Sequence, residues 1–408
     1  SYIVELLTLP LRQRPRKKHM QNDIRKEILK DLKRVVIKVG SSIISNRDGG
    51  RAGLTIGLNA DHVRRLAGTI RGIIDRNCEV VLVSSGAIMA GRERLGVSKA
   101  HLTIPEKQAC AAIGQSYLMH TYEKKFEKEG LKVAQILLGH DDLENRGRFL
   151  NAKHTLETLL EHGVIPVINE NDSVTVDEIK IGDNDTLSAT VACLVDAQLL
   201  VILSDVDGLY SRDPSIKSGK KQDAPKLIGH VDHVTDEIEK LAGKSKSSVT
   251  VGGMYTKVLA AKQTMSFGIP TLVVNGLDNK ASDKIFSGES VGTLFWAGKE
   301  KIKTRKHWIA HTLKPSGQVT VDSGAKKAIV ERGKSLLPAG VVSVEGKFAF
   351  GNAVRILDEK GAEIARGLIN YNARDLEQIK GMKTAAVRNL FDQNFYEEVI
   401  HRDDLVVL

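Results

Sequence analysis

At 408 residues, 41% of them apolar, the chain is too long for one ordinary domain and long enough to bury two cores. No apolar run nears the ~20 residues of a membrane-spanning helix, and Cys78, Cys110 and Cys193 stand alone, which argues against a disulfide scaffold and for a soluble protein of the cytoplasm. The formal charge of +10 sits at the ends: residues 1–33 carry nine basic and four acidic side chains and residues 301–408 eighteen and thirteen, so the middle is neutral and binds no polyanion by charge alone.

Residues 1–33 read as an N-terminal extension, disordered or a remnant of processing or cloning, with translation expected to start near Met20. Within it, Ile24, Ile28 and Leu32 are spaced four apart, as on one face of a helix. Arg34–Val39 is a β-branched run ending in Gly40-Ser41-Ser42, a buried strand entering a turn. A helix is expected over Asn59–Asn77, then a strand over Glu79–Val83 that ends in Ser84-Ser85-Gly86. A long helix starts at Pro105, a residue suited to a first turn. Strands at Val133–Leu138, Val164–Ile168, Leu199–Leu203 and Thr271–Val274 then alternate with helices at Arg148–His162, Thr186–Val195 and Lys257–Phe267.

That alternation predicts an α/β domain over 34–300, an open and mostly parallel sheet sandwiched by helices. Ligands of such sheets bind at the carboxyl ends of the strands. The polar punctuation of this chain falls there: Gly40-Ser41-Ser42, Ser84-Ser85-Gly86, Asn169–Asp172 and Ser204-Asp205. Beyond residue 300, short runs at Gln318–Asp322, Val341–Val344, Ala353–Leu357 and Ile364–Ile369 predict a second, small β-rich domain over 301–408.

Two lookalikes of a P-loop are set aside. Gly333-Lys334-Ser335 and Gly243-Lys244-Ser245 have Ala328 and Ile238 where that motif needs its first glycine. The histidines show no metal-ligand spacing, and no metal ligand is assigned. Phosphoryl transfer needs cations around the migrating group and N–H donors for phosphates. Lys38 beside Gly40 could supply both, though taken alone it reads more readily as a surface lysine near an ordinary turn. Gly252-Gly253-Met254-Tyr255-Thr256-Lys257 opens a helix, and a helix start with a lysine attracts anions. Asn169-Glu170-Asn171-Asp172 and Gly182-Asp183-Asn184-Asp185 gather more acids and amides than helix capping requires.

The string N-E-N-D-S-V-T-V-D-E-I-K-I-G-D-N-D at Asn169–Asp185 resembles the signature of glutamate 5-kinases in the amino-acid-kinase family. K-V-G-S-S at Lys38, S-S-G-A at Ser84, R-F-L-N-A at Arg148, S-D-V-D-G-L-Y at Ser204 and G-G-M-Y-T-K ending at Lys257 follow in family order. The resemblance implies the amino-acid-kinase fold and ATP-dependent phosphorylation of the γ-carboxylate of L-glutamate, the first step of proline biosynthesis, with Mg²⁺ on the nucleotide. It implies that Lys38 and Lys257 flank the transferring phosphoryl group while Asp185 and Asp183 hold them. Ser85, Gly86, Asn169, Asp172 and Asn184 would bind glutamate. Lys38, Gly40, Ser204, Asp205 and the stretch Gly252, Gly253, Met254, Tyr255, Thr256 and Lys257 would bind ATP.

Feedback inhibition by proline and a homotetramer are implied in the same way. Residues 332–368 resemble a PUA domain, which with its excess of positive charge permits RNA contact or a purely structural role. The rival readings are a kinase of the same fold acting on aspartate or N-acetylglutamate, and an RNA-binding PUA protein with a vestigial kinase domain.

Overall fold

The structure is a computed structural model. It describes residues 17–45, 57–97, 102–139, 142–143, 146–174, 184–212, 224–243, 253–278, 280–296, 315–390 and 396–408. The chain divides into two compact units, one of residues 1–139 and 155–301, the other of residues 140–154 and 302–408. Among the described residues no helix is long and apolar enough to cross a membrane.

The first unit opens with α1 (Lys17–Lys30), β1 (Arg34–Val39), the single turn α2 (Ser41–Ile44), α3 (Ala60–Ile74) and β2 (Glu79–Ser84). Then come α4 (Ala87–Leu95), α5 (Ile104–Glu127), β3 (Lys132–Leu138), α6 (Arg146–Glu161, of which 155–161 belong to this unit), β4 (Val164–Glu170), α7 (Asn184–Leu194) and β5 (Leu199–Ser204). The unit closes with β6 (His230–Val231), α8 (Asp236–Leu241), α9 (Met254–Ser266), β7 (Thr271–Asn275), α10 (Ala281–Phe286) and β8 (Thr293–Phe295). Capping chemistry sets several starts. Asn59 accepts from the N–H groups of Asp61 and His62 ahead of α3, and Thr103 forms a reciprocal cap with Glu106 ahead of α5, whose second residue is Pro105.

The strands form one eight-stranded sheet in the order β3-β4-β2-β1-β5-β7-β8-β6, parallel throughout except where β7 meets β8. Apolar, β-branched β1, β2 and β5 are buried along nearly their whole length, as parallel strands covered on both faces must be. Register aligns their ends. Lys38 lies opposite Val83 of β2 and Ile202 of β5, and Val83 lies opposite Ile168 of β4. Gly40, Ser85, Asn169 and Ser204 therefore emerge together along the carboxyl edge.

Helix α1 corrects one expectation. Residues 1–16 lie outside the described residues, but 17–30 are not a loose extension. Ile24, Ile28, Leu29 and Leu32 pack against the main core. Arg25 is buried, and its guanidinium donates to the carbonyls of Val291 at 2.6 Å, Gly229 at 3.2 Å and Glu289 at 3.3 Å. Burial lowers its pKa to about 10.

The second unit is built on a five-stranded sheet of β9 (Gly317–Val321), β10 (Val341–Gly346), β11 (Ala353–Leu357), β12 (Glu363–Leu368) and β13 (Leu405–Val407), in the order β10-β9-β11-β12-β13. Helices α11 (Ser323–Val330), α12 (Ala373–Ile379) and α13 (Thr384–Leu390) complete it. Its own core includes Val319, Val321, Ile329, Ile356, Leu376 and Ile400. Four strands match the expected runs within two residues. The helices and β13 were not anticipated.

Candidate active site

The centre of the carboxyl edge is an ion triplet. Asp185, in the first turn of α7, is fully buried, and each of its oxygens meets a different lysine. Lys38 Nζ, from the end of β1, lies 2.6 Å from Oδ1, and Lys257 Nζ, from the first turn of α9, lies 3.0 Å from Oδ2. Both lysines are themselves only 4% exposed. Burial works against ionisation of Asp185, but the two ammonium groups and their hydrogen bonds outweigh it and hold the carboxyl below its ordinary range. Two cations share one anion, so the cluster keeps a net positive charge. That surplus suits a phosphate.

The start of α9 braces this arrangement. Thr256 Oγ1 sits 2.8 Å from Asp185 Oδ2 and 2.7 Å from the carbonyl of Gly253, and Lys257 Nζ donates to the same carbonyl at 3.4 Å. Gly253 is the N-cap of α9 in an extended conformation that any residue can adopt. Gly40 likewise has an unstrained φ of −70°. What its missing side chain provides is space, since a Cβ there would stand 3.8 Å from Lys38 Nζ. Gly86 is different. Its φ of 111° belongs to glycine, and it turns the chain from β2 into α4.

A second group lies alongside. Asn184, next to Asp185, donates through Nδ2 to Ser85 Oγ at 2.8 Å and to Asn169 Oδ1 at 2.9 Å. Asp172 follows β4 and lines a cavity of about 650 Å³ together with Ala87, Glu170 and Asn171. Burial pushes the Asp172 carboxyl up to about 6. Ser204 and Asp205 end β5, with Ser204 Oγ 3.4 Å from Asp205 Oδ1. The following turn is tied by Asp207, which accepts from Asn275 Nδ2 at 2.9 Å and from Tyr210 Oη at 2.8 Å. Met254 and Tyr255 open α9 ahead of Thr256 and Lys257.

The structure thus gathers Lys38, Asp185, Thr256 and Lys257 into one cluster and Ser85, Asn169 and Asn184 into another joined to it through α7. Asp183 and Gly252 lie outside the described residues. Sequence reasoning overlooked Gln115 of α5, which accepts from Asn169 Nδ2 at 2.9 Å. Its signal was a glutamine within the helical stripe Ala111, Leu118 and Tyr122, a face that is otherwise buried and largely apolar.

Residues 33–275 match the model of the amino acid kinase family, and residues 317–391 match that of the PUA domain. Glutamate 5-kinase of Geobacter sulfurreducens is 50% identical over 385 residues, covering 94% of this chain and all of the relative. Glutamate 5-kinase of Thermoanaerobacter sp. is 46% identical over 92% of this chain and 98% of its own length, and that of Syntrophus aciditrophicus 43% over 95% and 97%. Among solved structures, a UMP kinase from Bacillus anthracis aligns with a TM-score of 0.43 at 18% identity, over 66% of this chain and 97% of its own. The chain belongs to the amino acid kinase family, among its glutamate 5-kinases, and carries a PUA domain after the kinase segment.

Proposed function

We infer that the chain transfers the γ-phosphoryl group of ATP to the γ-carboxylate of L-glutamate, giving ADP and γ-glutamyl phosphate. The observation that carries this reading is the buried Lys38–Asp185–Lys257 triplet at the carboxyl edge of the sheet. The nucleophile needs no general base, because a carboxylate of ordinary pKa ~4.3 is ionised at neutral pH. The protein's task is positioning and charge neutralisation.

In this mechanism Lys38 and Lys257 approach the transferring group from two sides. Asp185 fixes both ammonium groups before substrate arrives, so little reorganisation is left for the transition state. Ser204, Asp205 and the start of α9, with Met254, Tyr255 and Thr256, hold the nucleotide, and the open space over Gly40 admits its phosphates. Ser85, Asn169, Asp172 and Asn184 hold glutamate, carboxylate and amide oxygens facing its ammonium group. Asp185 spends both oxygens on lysines, so Mg²⁺ in this reading is carried on the phosphates of ATP, as befits an ion that keeps much of its water.

The likeness to glutamate 5-kinases is also the support for placing the reaction at the entry to proline biosynthesis, for inhibition by proline and for a homotetramer in the cytoplasm. RNA contact through the PUA domain rests on the domain's kind and its positive charge. The test of the central reading is hydroxylamine trapping of the acyl phosphate with ATP and, in turn, glutamate, aspartate and N-acetylglutamate. Hydroxamate from glutamate alone is expected. Product from N-acetylglutamate but not glutamate would overturn it.

A further inference from the structure

A side-chain amide can face either way, but one backbone group fixes the direction of a whole chain of them here. The N–H of Glu170 can only donate, and it lies 2.9 Å from Asn169 Oδ1. The oxygen of Asn169 is thereby assigned, and its nitrogen requires an acceptor elsewhere. That acceptor is Gln115 Oε1, at 2.9 Å, and Gln115 in turn donates through Nε2 to Gln135 Oε1 of β3 at 3.2 Å. On the other side, Asn184 spends its nitrogen on Asn169 Oδ1 and Ser85 Oγ. Asn184 is left to offer its carbonyl oxygen, and Ser85, having accepted, still has a hydrogen to donate.

We propose that Gln115 is a positioning residue for the amino-acid end of the site: by accepting from Asn169 Nδ2 it joins the Glu170 N–H in holding the Asn169 amide in one orientation, and with it the directions of Asn184 and Ser85, so that the site offers an acceptor to an ammonium group and a donor to a carboxylate. Asn169 is 2% exposed, so its amide has little access to water for a substitute acceptor, while Gln115 reaches it from the wall of the cavity that Asp172 lines. The same helix supports the site a second time. Tyr122, two turns on from Gln115, lies 2.7 Å from Ser84 Oγ, which donates to the carbonyl of Ser85 at 3.0 Å. One face of α5 thus braces both the strand-end amide and the serine turn. The proposal rests on the reading that the acceptor is glutamate.

The test is Gln115→Met, which keeps the length of the side chain and removes its acceptor. Hydroxamate formation is followed with glutamate and ATP varied separately. The KM for glutamate should rise roughly tenfold, the size expected when a buried donor loses its partner, while kcat and the KM for ATP stay within about twofold. A glutamate KM within about twofold of the unsubstituted protein, or equal rises for both substrates, overturns the proposal. If Gln115→Met does not fold, Gln135→Met at an exposed position decides. A rise in glutamate KM alone supports the relay, and an unchanged KM removes it. Failure of the unsubstituted protein to make hydroxamate from glutamate overturns the functional reading itself, a separate outcome.

Discussion

Lys38 and Lys257 are each held by a different oxygen of the Asp185 carboxylate, at 2.6 Å and 3.0 Å. One lysine comes from the central strand and the other from a helix start, so their spacing is set by the sheet and by α7 rather than by either lysine. If each ammonium stabilises charge that develops on the migrating phosphoryl group, Lys38→Ala and Lys257→Ala should each lower kcat by roughly 10²–10³. Single-turnover measurement with saturating ATP and glutamate checks this. A near-normal kcat in either variant would remove that lysine from the mechanism.

Asp185→Asn keeps the shape and leaves two buried cations facing a neutral amide. The loss should be about 3 kcal/mol of stability, since removing one partner strands the others without compensation. The folded carboxyl titrates below its ordinary range. The stabilisation it brings is therefore present above the unfolded carboxylate pKa and is lost only as pH falls through the lower folded value. Urea unfolding of the two proteins should show a gap that is constant from pH 8 to pH 5 and closes only in stronger acid. A gap that closes near pH 6 would show that Asp185 is not held as an anion by the lysines.

Asp172 shifts the other way. Burial raises its carboxyl to about 6, so ionisation costs the folded protein stability progressively between the unfolded carboxylate range and about pH 6, and in full above that. Asp172→Asn should raise the thermal midpoint at pH 8 and leave it unchanged at pH 4. The same substitution should raise the KM for glutamate and remove any inflection near pH 6 from the pH profile of kcat/KM. An effect confined to the KM for ATP would contradict its placement at the amino-acid end.

Much of this site could be read from the sequence because a parallel sheet sends its strand ends to one edge. β-branched runs located β1, β2, β4 and β5, and the polar residues after each run were the ones the sheet then aligned. The convergence of Lys38 and Lys257 on Asp185 depends on register and on the pitch of α7 and α9, which no local pattern encodes. Gln115 was hidden because helical periodicity marks it as one buried position among apolar ones, and its meaning appears only when β4 is set beside α5. Two-residue β6 and three-residue β8 are too short for alternation to register. Arg25 was counted as part of a basic terminus, whereas its guanidinium is spent on three carbonyls inside the fold.

That clamp gives a prediction independent of catalysis. Arg25→Met should leave the carbonyls of Gly229, Glu289 and Val291 short of donors and cost about 2–3 kcal/mol, on the scale of unpaired buried polar groups. The KM values for glutamate and ATP should not change, because none of the three carbonyls belongs to the cluster around Asp185. Chemical denaturation alongside steady-state kinetics separates the two. Loss of activity with full stability would mean that α1 acts on the site directly.

Gly86 joins the backbone to substrate recognition most closely. Its φ of 111° is one that side-chain-bearing residues rarely adopt, and a Cβ would come within 2.8 Å of Ile44 Cδ1. Gly86→Ala must therefore strain the turn, whereas the Ile44 contact falls on the far end of a side chain that can give. The strain alone is worth about 1–2 kcal/mol. Moving the turn shifts Ser85, whose hydroxyl accepts from Asn184 at 2.8 Å. The expected signature is a lower thermal midpoint together with a glutamate KM raised about tenfold and an ATP KM that stays near normal. Equal rises in both would place Gly86 at the phosphates instead, beside Lys38, and would move the boundary between the two halves of the site by one strand.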